Sequence, residues 1–166
     1  MPEMWDVLDQ HGNKTGRQHE RGQPMPPNDY MLIVHVWKIN TRGEWLVDQR
    51  APRGNALDYK WETTGGCAIS GDTSLAAAIR ETREELGITL HPDNGRFYRR
   101  VSYHNSGNLD NNGDRLQSFF VDVWVFACDC DVSDLTFQKE ETLQALWATQ
   151  NSNLKKRIYL LYPAIA

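Results

Sequence analysis

Residues 66–88 of this 166-residue chain, GCAISGDTSLAAAIRETREELGI, decide its fold. A side chain that can cap a helix, Asp72 or Thr73, precedes a run of good helix formers. Gly87 follows the run, at the position where a residue in the left-handed conformation ends many helices. The stretch therefore predicts a helix that includes Leu75 and Glu85 and is about four turns long.

Acidic and apolar residues fall on different faces of this helix. At about 100° per residue, Glu81, Glu84 and Glu85 share an arc of about 100°, and Arg80 lies closer to Glu84 than to Glu85. A separate apolar stripe that can pack on a sheet contains Leu75, Ile79, Thr82 and Leu86. One face is thus expected in the core, and another concentrates negative charge.

The three carboxylates have too little positive charge around them. They repel one another in the C-terminal half of the helix, where the helix dipole also disfavours negative charge. Arg80 and Arg83 offer partial relief, but a hard divalent cation with oxygen ligands meets the excess better. Because the cluster contains no His or Cys, the pattern favours Mg²⁺ or Mn²⁺. From these residues alone, a solvated surface of Glu and Arg remains the alternative.

The spacing resembles the signature of the Nudix hydrolases: a glycine, five residues, a glutamate, seven residues, then R-E-U-x-E-E-x-G-U, where U is aliphatic. The residues in register are Gly66, Arg80, Glu81, Glu84, Glu85, Gly87 and Ile88. Asp72 replaces the first glutamate, Thr82 replaces an aliphatic residue, and Thr64 stands where proline often precedes paired glycines. Asp72 is expected to serve the helix N-terminus and Thr82 the core stripe, so neither should weaken the site much.

The resemblance implies a metal-dependent hydrolase that cleaves a diphosphate linkage, in a substrate of the nucleoside diphosphate-X type, by water attack on phosphorus. The cofactor is then Mg²⁺ or Mn²⁺. Its implied ligands are Glu81, Glu84, Glu85 and the backbone carbonyl of Gly66. Arg80 is implied to orient a glutamate through a charged hydrogen bond.

The resemblance leaves the general base open. It is a signature glutamate, Glu84 or Glu85, or a carboxylate from a later loop, for which Glu140 and Glu141 are the candidates and Glu141 is preferred. The residues expected to contact the substrate are Arg50, Gly65 and Gly66.

Strand patterns surround the helix. Strands are predicted at residues 5–8, 30–39, 44–49, 96–104, 116–128 and 143–148, and a final helix at residues 153–161. Strands dominate, which indicates an α+β protein. The resemblance implies a Nudix-like α/β/α sandwich with a mixed β-sheet. We expect one domain over residues 1–166, with the signature at 66–88 and residues 1–28 as an N-terminal extension.

The composition and charge of the chain limit which partners and which cellular compartment we expect. Hydrophobic residues make up 40% of the chain, charged residues 24%, and the formal net charge is −4. This balance gives no broad electrostatic reason to bind nucleic acid or an anionic membrane. No segment reads as a membrane span or signal peptide, and the three cysteines read as reduced thiols, so we expect a cytoplasmic protein. The expected partner is a small diphosphate substrate, and we expect binding neither to a nucleic-acid polymer nor to a membrane. A homodimer is expected by analogy only.

Two other functions stay open. The stretches WDVLDQHGNKTGR and VHVWKIN resemble a layout shared with isopentenyl-diphosphate isomerases, which need a catalytic cysteine. That cysteine would fall at Gly66, one place before Cys67, and the intact R-E-x-x-E-E pattern also argues against an isomerase. The second alternative is a Nudix-like binding module without catalysis. Retention of all three helix glutamates argues against it.

Overall fold

The computed structural model describes residues 2–55, 57–104 and 117–149. One helix, α1 (Ser74–Leu86), accompanies nine strands in these residues. The strands are β1 (Met4–Leu8), β2 (Lys14–Glu20), β3 (Tyr30–Ile39), β4 (Trp45–Arg50), β5 (Trp61–Glu62), β6 (Gly65–Cys67), β7 (Gly95–Tyr103), β8 (Ser118–Ala127) and β9 (Thr142–Ala148). Short 3₁₀ helices lie at Pro92–Asn94 and Val132–Asp134.

The described residues cluster into two compact units. The first is drawn from ranges 1–35, 65–78 and 97–124, and the second from ranges 36–64, 79–96 and 125–166. The chain passes between them within β3, α1, β7 and β8, and also between β5 and β6. The expected single domain stays a prediction.

In the first unit, β1 pairs antiparallel with β2 and β3, and β3 pairs antiparallel with β6. The strand β2 was not predicted, because its residues are polar and nearly all exposed. It forms through backbone pairing with β1, for example Trp5 opposite His19. Trp5, Met25 and Met31 form a buried hydrophobic cluster in this unit. Strand formation here depends on a partner rather than on an alternating pattern.

In the second unit, β4 is central. It pairs antiparallel with the end of β3, with β5 and with β9. The buried side chains of this unit include Val36, Leu46, Val47, Leu86 and Phe126, each with no exposed surface. Residues 40–43 join β3 to β4, so the strands predicted at residues 30–39 and 44–49 are confirmed and form a hairpin.

The predicted helix is confirmed. The Thr73 hydroxyl accepts a hydrogen bond from the Ala76 amide at 3.1 Å, which identifies Thr73 as the N-cap. Gly87 ends the helix with φ of 72°. The amides of Thr136 and Gln138 donate to the last carbonyls, those of Leu86 and Glu85, at 3.1 Å each. The following segment thus satisfies the helix C-terminus.

The predicted helix at residues 153–161 falls outside the described residues, as does residue 116, the first residue of the strand predicted at 116–128. Within the described part of the chain, no helix has the length and apolar character needed to cross a membrane.

Candidate active site

Arg80 holds two of the three helix glutamates. Its Nη1 donates to Glu81 Oε1 at 2.8 Å and to Glu84 Oε2 at 3.0 Å. The Glu84 contact joins residues four apart on the helix, as the predicted geometry requires. The Glu81 side chain is largely buried, whereas the Glu84 side chain is 46% exposed. Arg80 therefore fixes a carboxylate pair that lies partly in the core and partly in solvent.

The third glutamate, Glu85, is buried, with only 9% of its surface exposed. Burial raises its pKa well above the ordinary value, and the nearby charges of Asp48 and Glu81 raise it further. The positive charge of Lys38 opposes this effect. Negative charge is thus concentrated around a buried carboxylate, and a proton or a cation there would stabilise it.

Three buried side chains, two of which influence the charge of Glu85, form a connected group that the sequence analysis did not predict. Lys38 Nζ donates to the hydroxyl of Thr64, which donates to Asp48 Oδ1 at 3.1 Å. At most 1% of each residue is exposed. Burial lowers the pKa of Lys38 and raises the pKa of Asp48, and the attraction between the two charges opposes both shifts. We call Lys38, Thr64 and Asp48 the buried triad.

A sequence signal for this triad did exist. The strand predicted at residues 30–39, which forms β3, is otherwise mostly apolar, yet it contains Lys38. A lysine in such a strand needs a buried polar or charged partner. Asp48 lies in the partner strand β4, and this requirement could have directed attention to it.

Arg50, a predicted substrate contact, is bound by a neighbouring strand. Its Nη1 donates to Glu62 Oε1 at 2.7 Å, and both side chains are about three-quarters buried, at 24% and 25% exposed. Burial, and then the charge of Asp48, raises the pKa of Glu62 to about 7, while Arg50 opposes the shift. The Nε atom of Arg50 is buried and makes no hydrogen bond with the described residues. This N–H group is closed off from solvent, and only 24% of the Arg50 side chain remains exposed.

Glu141, the preferred later-loop candidate for the general base, forms an ion pair with Arg53. The Nε of Arg53 also donates to the backbone carbonyl of Glu140 at 3.0 Å, while the Glu140 side chain belongs to an exposed residue. The Asp58 carboxylate accepts hydrogen bonds from the amides of Arg53 and Gly54 at 2.9 and 2.8 Å. The Asp58 carboxylate thus supports the backbone at Arg53, which carries the ion pair with Glu141.

Gly65 and Gly66 lie in β6, in the first unit, opposite His35 and Val34. A Cβ on Gly65 would lie 2.3 Å from the Val34 carbonyl oxygen, so only glycine fits there. The next residue, Cys67, packs against the cluster of Trp5, Met25 and Met31. Close strand packing explains the glycine at position 65, independently of any ligand.

The donor set fits a hard cation, although the described residues contain no group of three or more His, Cys, Asp or Glu side chains close enough to hold a metal ion. Arg80 engages Glu81 and Glu84, and Glu85 lies beside them with a raised pKa. Carboxylate oxygens with surplus negative charge are the ligands that Mg²⁺ and Mn²⁺ prefer. The roles assigned to these residues remain predictions.

Comparison with known proteins identifies relatives for most of the chain. The model of the NUDIX domain matches residues 29–161. An uncharacterized Nudix hydrolase of Listeria monocytogenes, lmo0368, is 34% identical over 149 residues, which is 89% of this chain and 80% of that protein.

Solved structures show the same fold. The structure of DR0079 from Deinococcus radiodurans matches with a TM-score of 0.64 at 21% identity, over 89% of this chain and 83% of that one. A bifunctional NMN adenylyltransferase/ADP ribose pyrophosphatase of Francisella tularensis, solved with AMP and a manganese ion, matches with a TM-score of 0.57 at 23% identity, over 82% of this chain and 39% of that one. The fold class predicted from the sequence is confirmed.

Proposed function

This chain belongs to the Nudix hydrolase family, and from that premise we propose that it hydrolyses a diphosphate linkage in a small nucleoside diphosphate-X substrate with Mg²⁺ or Mn²⁺. The family supports a hydrolase. What we propose beyond this is the bond that is cleaved, the class of substrate and the metal that is used.

One observation carries the proposal: Glu85 is buried beside the negative charges of Glu81 and Asp48. Folding places these charges together at a cost, since each disfavours ionisation of the others. A surface helix gains nothing from such an arrangement, whereas a cation site requires it. The buried position of Glu85 therefore argues against the solvated Glu and Arg surface that the sequence left open.

In the family signature, the residues that would hold the metal are Glu81, Glu84, Glu85 and the carbonyl of Gly66. When bound, a divalent cation neutralises charge on diphosphate oxygens and lowers the pKa of a bound water. The Francisella protein, which has the same fold and was solved with AMP and manganese, is consistent with this choice of ion.

The chain's own residues provide positioning and a proton acceptor. Arg80 keeps Glu81 and Glu84 oriented by charged hydrogen bonds. Arg50, whose partly exposed guanidinium is held beside Glu62, is suited to bind a phosphate oxygen. The proton of the attacking water passes to a carboxylate, either a signature glutamate or Glu141.

The test is a substrate screen with the full chain. The panel contains nucleoside diphosphate sugars including ADP-ribose, dinucleoside polyphosphates, nucleoside triphosphates and isopentenyl diphosphate, each with Mg²⁺, with Mn²⁺ and with excess chelator. We expect phosphate-ester products from at least one nucleoside diphosphate compound, with one ¹⁸O atom incorporated from labelled water. Turnover undiminished by the chelator would contradict the metal requirement.

The matched variants are Glu84→Gln, Glu85→Gln and, as a control, Glu20→Gln, which makes the same change at an exposed residue of β2. We expect the first two to lose activity and the control to keep it. Isomerised isopentenyl diphosphate would instead favour the isomerase, although the packing of Cys67 against Trp5 and Met25 leaves that thiol poorly placed for catalysis. Binding without turnover of any compound would favour the binding module.

A further inference from the structure

The proposed function gives no role to the buried triad, although one of its members, Thr64, directly precedes Gly65 and Gly66. Lys38 lies in β3 and Asp48 in β4, and both contact the hydroxyl of Thr64. The hydroxyl accepts one hydrogen bond and donates the other, so its single donor and one of its two acceptor lone pairs are used. This single atom connects two fully buried charged groups.

Thr64 is fixed through its backbone as well. Its carbonyl accepts a hydrogen bond from the Val36 amide at 2.8 Å. The residue is covalently joined to Gly65, and Gly66 follows. The segment that reaches Gly66 is therefore anchored immediately before the two glycines, by one backbone and two side-chain contacts.

A purely structural account of the triad is weak, because a buried ion pair is seldom the most stable way to fill a core. Apolar residues of similar size would serve stability as well. What the triad adds is a fixed orientation at one point of the chain, since a hydroxyl bound from two sides has a single rotamer available. That point lies two residues before the carbonyl that we assign to metal binding.

We propose that Lys38 and Asp48 are positioning residues, which act through the Thr64 hydroxyl to hold the peptide leading to Gly66 in the conformation that metal binding requires. This inference rests on the proposed function. Residues behind the ligands of a metal site commonly set its affinity in this way.

The chain offers a matched control for the test. The neighbouring Thr63 is also buried, with 4% of its surface exposed, and its hydroxyl donates to the Val36 carbonyl at 2.5 Å. Thr63→Val removes a buried hydroxyl one residue away without touching the charged pair. Thr64→Val removes the triad's bridge, and Thr64→Ser keeps it.

The measurement is Mn²⁺ binding to the full chain without substrate, by electron paramagnetic resonance of the free ion, together with thermal unfolding and kcat/KM. We expect Thr64→Val to raise the Mn²⁺ dissociation constant at least about tenfold. Thr64→Ser and Thr63→Val should each stay within about threefold of the original chain. Equal loss in Thr63→Val and Thr64→Val, or no loss in Thr64→Val, would overturn the proposal.

A second variant covers the case in which Thr64→Val does not fold. The double change Lys38→Met with Asp48→Leu removes both charges and both hydrogen bonds to Thr64 together, so the net charge near Glu85 is unchanged and a buried unpaired ion is avoided. We expect a folded protein whose Mn²⁺ affinity is again lower by about tenfold or more. A folded double variant that binds Mn²⁺ like the original chain would count against positioning.

The two proposals fail differently. If the original chain neither binds Mn²⁺ nor cleaves any compound, the proposed function is wrong and the triad inference falls with it. If the original chain binds Mn²⁺ and hydrolyses its substrate while the Thr64 and double variants match it in both, only the triad inference is wrong.

Discussion

Arg50 and Glu62 join the ends of two paired strands, with Arg50 Nη1 only 2.7 Å from Glu62 Oε1. The contact lies next to Asp48, whose charge raises the pKa of Glu62. Glu62 therefore titrates near neutral pH, at about 7, although an arginine is bound to it. Burial and a like charge together outweigh the ion pair at this position.

The first prediction concerns stability against pH. The folded protein holds a proton on Glu62 more tightly than the unfolded chain, since its pKa is raised from 4.5 to about 7. The stabilisation from this proton is present at low pH and is lost as pH rises through that range. The Glu62→Gln variant lacks this titration. As pH rises from about 4.5 to about 8, the free energy of unfolding of the original chain should therefore fall by about 2–3 kcal/mol relative to that of Glu62→Gln.

Urea unfolding in chelator, from about pH 4.5 to about pH 8, provides the measurement. Glu140→Gln makes the same change at an exposed residue and should run parallel to the original chain. A difference between Glu62→Gln and the original chain that is constant with pH would show that Glu62 does not titrate in this range.

The second prediction separates the two possible sources of the general base, a signature glutamate of α1 and Glu141. Glu141→Gln and Arg53→Gln break the same ion pair from opposite sides. If the pair only supports the loop, both variants should lower kcat/KM equally and by less than about tenfold, as for a partly exposed ion pair. We expect this result, because Arg53 already engages the Glu141 carboxylate.

Steady-state kinetics on the best substrate of the screen decide the matter. Loss of a general base costs about 10² to 10⁴ in rate. A loss of that size in kcat for Glu141→Gln, with Arg53→Gln near the original rate, would assign the base to Glu141 and contradict our expectation.

The third prediction concerns the end of the helix. Gly87 has φ of 72°, and a Cβ there would lie 3.0 Å from the Thr136 side chain. Gly43 has a similar φ of 75° in the β3–β4 turn, but a Cβ there would meet nothing within 4 Å. Gly43→Ala should therefore cost only the backbone strain, about 1–2 kcal/mol.

Gly87→Ala should cost more than Gly43→Ala by about 1 kcal/mol or more, because it also crowds the segment that caps the helix. Chemical denaturation of both variants measures the difference. Equal losses would mean that the segment at Thr136 yields freely and does not hold the C-terminus of α1.

Local patterns predicted the parts of the molecule that depend on neighbours along the chain. The helix, its caps at Thr73 and Gly87, and the Arg80–Glu84 contact follow from spacing within one element. The hairpin of β3 and β4 likewise follows from two apolar runs and a short turn. These features need no knowledge of the tertiary structure.

Contacts that depend on pairing between distant segments were not predicted. The strand β2 has no apolar alternation, so only its pairing with β1 reveals it. The Thr64 bridge between Lys38 and Asp48 depends on the register of two strands and on the loop that returns at Thr64. Arg50 was predicted to bind substrate, and its pairing with Glu62 arises from the β4–β5 contact.

The most direct test of the central claim is the rate at which Glu85→Gln cleaves the best substrate of the screen at saturating Mg²⁺. We expect Glu85→Gln to fold, to bind Mn²⁺ more weakly, and to have a kcat at least about 10²-fold below that of the original chain. A Glu85→Gln protein that is folded, binds Mn²⁺ like the original chain and turns over at the original rate would contradict the claim that the buried glutamate face of α1 is the metal-dependent catalytic site.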